Sequence, residues 1–148
     1  MNSKKISIDK KPFTITKITE RLNSGAIITS DSIFPPYTEI NDFNASRLIE
    51  SILIGLHLPV IYCESDTRGN LTILDGNKII NAIRDFRNFD FELEGLEYFE
   101  NLNTKFFDEL PVNHQNKIID TELTFVIINP GTPKEIRDNL IDRIKTYS

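Results

Sequence analysis

The stretch LPVIYCESDTRGNLTILDGNKIINAIRDFRN, residues 58–88, decides the fold. Residues 58–63 are apolar and β-branched, as a strand requires, and 71–74 repeat that character. Between them lies a polar turn, residues 64–70, containing Arg68-Gly69-Asn70. Two strands flanking such a turn predict a hairpin. Asp75-Gly76 breaks the second strand. Behind it Ile79, Ile80, Ile83 and Phe86 recur at helical spacing, which predicts an inward-facing helix over 77–88.

Upstream, Leu48, Ile49, Ile52, Leu53 and Leu56 give a second helix over 45–56, capped by Asn44 or Asp42 and ended by Gly55 and Pro59. Thr14 can cap an earlier helix, 15–23, stopped at Gly25, with a short strand over 26–29. Phe34-Pro35-Pro36-Tyr37 reads as an extended loop. Downstream, residues 89–110 are acidic and aromatic and read as short strands and a turn packed on the sheet. A brief helix over 111–119, a strand at TELTFVII (121–128) and a last helix from Thr132-Pro133 complete the chain. The expected class is α+β, a small mixed sheet with interleaved helices.

The chain has 148 residues, 39% hydrophobic and 26% charged, which suits one folded domain. No run of about 18 apolar residues exists to span a bilayer, and residues 1–11 lack a signal-peptide pattern. One cysteine, Cys63, cannot form an internal disulfide, and the expected compartment is cytoplasmic. Net charge is −5, unevenly placed. Residues 1–21 carry six cations (Lys4, Lys5, Lys10, Lys11, Lys17, Arg21) against Asp9 and Glu20, or +4, leaving −9 for the rest. That balance argues against a broad duplex-DNA surface. The organisation expected is a flexible basic N-terminus over 1–13 and one domain over 14–148.

The strand–Asp75-Gly76–helix junction is the candidate site. Glycine allows close backbone approach, and the unpaired amides and dipole of the following helix form an anion site. Lys78 in its first turn opposes that dipole until an anion binds. Asp75 can accept from a hydroxyl or hold a metal ion. Equally, Asp75 can cap the helix while Gly76 makes the turn. Elsewhere no CxxC, HxxxH or HExxH spacing points to a metal site, His57 and His114 are far apart, and Cys63 reads as a buried thiol. Glu92, Glu94, Glu97 and Glu100 read as a solvated face.

The segments RLIESILIG (47–55), LPVI (58–61) and ILDG (73–76), at these spacings, resemble the N-terminal domain of GmrSD-type restriction proteins. This is domain-of-unknown-function family 262, in the ParB/sulfiredoxin-like superfamily. The resemblance runs from about Thr14 to the C-terminus. It implies a ParB/sulfiredoxin-like fold, binding and hydrolysis of nucleotide triphosphates with Mg²⁺, and a place in phage defence beside another protein of the system. The family's activity is carried by a Gln-Arg pair, an Asp-Gly-Gln-Gln-Arg run and an Arg-x-Asn. Here the first position falls near Phe34-Pro35. The second reads Asp75-Gly76-Asn77-Lys78-Ile79, and the third Arg143-Ile144-Lys145. Arginine grips two phosphate oxygens in one fork, and isoleucine offers nothing to them.

The expectation is therefore a degenerate, non-catalytic ligand- or protein-binding module, with Asp75, Gly76, Asn77, Lys78 and Arg143 at its site. Two rivals are an active NTPase or nuclease using Asp75, Lys78 and Arg143, and a nucleic-acid-binding module using residues 1–21. Sulfiredoxin chemistry would need a cysteine at the turn, where Asn77 and Lys78 stand.

Overall fold

The computed structural model describes residues 6–29 and 40–147. Among these residues five strands and five α-helices follow in the order β1 (Ile8–Thr14), α1 (Ile15–Ser24), β2 (Ile27–Ile28), α2 (Asp42–Ile54), β3 (Ile61–Ser65), β4 (Leu71–Asp75), α3 (Asn77–Arg87), α4 (Val112–Asp120), β5 (Glu122–Ile128) and α5 (Lys134–Tyr147). The class is α+β, as expected. The loop at 34–37, and with it the position of the first family motif, lies outside the described residues.

One mixed sheet has the order β1-β5-β3-β4-β2. β1 and β5 are antiparallel, β5 and β3 parallel, β3 and β4 antiparallel, β4 and β2 parallel. Residues 8–13, expected within a flexible arm, instead make up most of an ordered edge strand, registered from Ile8↔Ile128 to Thr14↔Glu122. Their composition hid this. Lys10, Lys11 and Pro12 are poor in strand signal, yet charge and proline are what an edge strand carries to block further pairing. The turn closing the β3–β4 hairpin is built around Asp66 and is shorter than the expected 64–70, because Glu64 and Ser65 pair with Thr72 and Leu71. The Asp66 carboxylate accepts from the backbone N–H groups of Asn70 (2.9 Å) and Arg68 (2.8 Å). Those bonds, Asn70's first, hold the Asp66 carboxyl below the usual carboxylate range.

Neighbouring residues on a strand face opposite ways, and this sheet divides two apolar clusters accordingly. Cys63, Leu71, Ile73, Phe125 and Ile127 join the larger one, with Ile15, Ile18, Ile49, Ile52, Ile80, Ile83 and Phe86 from α1–α3. Leu74 and Ile128, one position along, face the smaller one, which Ile141 and Ile144 of α5 complete. Among the described residues, no helix is long and apolar enough to cross a membrane.

Residues 89–110 are not strands packed on the sheet. They form two short 3₁₀ turns, Glu100–Leu102 and Phe107–Glu109, joined by irregular chain lying on α2 and α3. Phe86 of α3 meets Phe91 and Phe107 at ring-centroid distances of 5.3 and 5.9 Å. Arg87 lies over the Phe107 ring at 4.1 Å. The strand reading failed because Phe91, Leu93 and Leu96 are buried against helices, while Glu92, Glu94, Glu97 and Glu100 reach solvent as expected.

Helix α2 begins earlier than its apolar rhythm suggests. Asn41 is the cap, and its side chain accepts from the Asn44 N–H at 2.8 Å. The extra turn brings Phe43 onto one face with Ser46, Arg47 and Glu50, at the i, i+3, i+4, i+7 positions. All four meet residues 94–99. The Phe43 ring abuts Gly95, Ser46 Oγ accepts from the Glu94 N–H (3.0 Å), and Arg47 pairs with Glu97 (2.9 Å). The Glu50 carboxylate accepts from the N–H groups of Glu97, Tyr98 and Phe99 at 3.3, 2.8 and 3.1 Å.

Candidate functional site

Strand β4 ends at Asp75, paired with Tyr62, beside an irregularity between Tyr62 and Cys63. Gly76 then turns the chain with φ +112°, and α3 starts at Asn77. A Cβ at Gly76 would lie 2.6 Å from Ile61 Cδ1, so backbone and core pass there closer than any side chain permits. Gly76 is the helix cap and, having no side chain, offers the first-turn amides no capping oxygen of its own. Asp75 is therefore not the capping group that one reading of the sequence allowed. Its half-buried carboxylate makes no hydrogen bond or ion pair among the described residues.

A cleft of about 500 Å³ opens at this junction. Pro59, Val60, Leu74 and Ile79 give it an apolar wall, Asp75 and Lys78 supply opposite charges, and Tyr147 reaches it from the end of α5. Four of the five expected site residues, Asp75, Gly76, Asn77 and Lys78, line it together. Arg143 does not line it. Its guanidinium Nε donates to Asn139 Oδ1 at 2.9 Å, one turn back on the same exposed face of α5. Ile79 is half-buried, packed against the larger core while bordering the cleft. Tyr147 went unread because only the return of α5 across the sheet brings it near Gly76.

The described residues give the cleft little charge with which to hold a magnesium triphosphate. Among the described residues, Lys78 is the single cation lining the cleft and Asp75 the single carboxylate. Among the described residues, no three His, Cys, Asp or Glu side chains gather where they could hold a metal. An anionic group beside an apolar body matches the lining, with the N-terminus of α3 favouring negative charge.

Cys63 is fully buried on β3, facing the larger core. Burial pushes its thiol up to about 12, outweighing the lowering by Arg21. This predicts an alkaline effect on stability. The unfolded thiol ionises near its ordinary value of 9.0, so above that pH the unfolded chain sheds the proton first. Stability then falls as pH rises from about 9 towards 12. By pH 10.5 the loss amounts to about 2 kcal/mol. Urea unfolding at pH 7 and pH 10.5 checks it, because Cys63→Ala removes this part of the alkaline loss. An equal loss in both proteins contradicts a protonated, buried thiol.

Compared with known families, curated proteins and solved structures, the chain matches none.

Proposed function

We propose that the chain is a degenerate ParB-like domain, similar to the N-terminal domain of GmrSD-type restriction proteins, that binds a ligand or partner protein without hydrolysing nucleotide. Its setting is phage defence, and its partner another component of such a system. The observation that carries this reading is the charge of the cleft. Among the described residues Lys78 is the one cation lining it, and the position where the resemblance asks for an arginine is occupied by Ile79. Phosphoryl transfer works by positioning and by neutralising charge that spreads over several oxygens. One mobile ammonium neutralises little of it and fixes no geometry. The N-terminal dipole of α3 and the apolar wall still support binding.

Phosphate release with each of the four nucleoside triphosphates and Mg²⁺ tests the reading. The protein is expected to match a protein-free blank. Turnover that disappears in Asp75→Ala and in Lys78→Ala overturns the proposal and establishes the enzyme instead.

A further inference from the structure

We propose that α5 is a hinged strap whose end gates the cleft beside Gly76, latched to the sheet by Arg137 and Glu64. Three features of the fold meet here. First, α5 stands apart. It lies across the sheet from α1–α3 and buries two side chains, Ile141 and Ile144, where α2 buries six. Second, a two-pronged ion pair ties the strap to the sheet. Arg137 Nη2 donates to Glu64 Oε1 at 2.6 Å and Arg137 Nε donates to Glu64 Oε2, joining the first half of α5 to β3. Third, α5 completes the cleft. Leu74 belongs both to the small cluster under α5 and to the cleft wall, and Tyr147, 75% exposed, lines the same cleft.

The hinge is the turn between β5 and α5. Gly131 sits there at φ +90° with open space around it, between Pro130, which ends the strand, and Pro133, whose carbonyl accepts from the Arg137 N–H where α5 begins. A helix with a thin apolar footing, an ion-pair latch and a turn exposed at Pro130 and Gly131 opens locally before the core does. Opening lifts Tyr147 away and uncovers Leu74, so one motion widens the cleft and exposes its apolar wall. The inference concerns the strap and needs no ligand, so its failure and that of the binding reading are separate results.

The test reads opening in the whole chain. In the Cys63→Ala background, Leu74→Cys places a thiol where the side chain is 7% exposed beneath α5. Arg137→Gln is expected to speed its maleimide labelling about tenfold. Labelling of Cys63 in the otherwise unchanged chain should stay constant with the same substitution. No acceleration at position 74, or equal acceleration at Cys63, overturns the strap. Hydrogen exchange of the unsubstituted protein gives a second reading. Amides of α5 should exchange at least tenfold faster than those of α2, and equal rates also overturn it.

Discussion

Glu50→Ala is expected to destabilise the protein by about 3 kcal/mol, because it strips the acceptor from three backbone donors at once. Glu50 is 4% exposed, and no cation lies within ion-pair distance of it among the described residues. A buried carboxylate without a counter-ion is unfavourable unless its oxygens are satisfied. Here the N–H groups of Glu97, Tyr98 and Phe99 converge on it and stand in for a cation. The alanine variant removes the charge and leaves those N–H groups to find water or go unpaired.

Glu50→Gln separates shape from charge. The amide keeps one acceptor oxygen but turns an NH₂ towards a ring of donors, so about half of the alanine loss should remain. Both variants are measured by urea unfolding, with hydrogen exchange over 94–99 as the local reading. The loss should show first there, since Ser46 and Arg47 hold the same segment from the same helix face. If both variants stay within 0.5 kcal/mol of the parent, the segment is not held by Glu50.

The contrast between Glu50 and the hairpin shows what could be read beforehand. Residues 58–88 were legible because each element was signalled locally: β-branched runs, a polar turn, an Asp-Gly break, a helical period. Thr14 as a cap and Gly25 and Gly55 as helix ends were legible for the same reason, and all three take those places. Glu50 was not. In LIESILI it looks like an exposed helix residue, and what it binds is 47–49 positions away. Its one signal was the i, i+4 alignment with Ser46 beside the apolar stripe. The edge strand at 8–14 and the 89–110 segment failed likewise, since their partners are set by tertiary packing rather than by neighbours in sequence. Of the site, the Asp75–Lys78 run was legible as one junction. That Tyr147, not Arg143, reaches it depends on where α5 comes to rest.

Gly76→Ala is expected to destabilise the fold by about 3 kcal/mol, for two separable reasons. A side chain at φ +112° meets a backbone conformation that L-residues avoid, by roughly 1–2 kcal/mol. The new methyl also meets Ile61 Cδ1 at 2.6 Å, inside a core where Ile61 is fully buried, and overpacking of that kind takes roughly 1–3 kcal/mol. Ile61→Val deletes the opposing carbon. Combined with Gly76→Ala it should recover about 1 kcal/mol relative to the sum of the single losses, leaving the backbone strain. Additive losses would mean that the two residues do not touch. The glycine of the Asp-Gly pair thus has a full structural reason to be there. The aspartate does not, because its carboxylate has no partner among the described residues. Asp75→Asn should therefore leave stability within 0.5 kcal/mol, so that any ligand it weakens is weakened at the cleft itself.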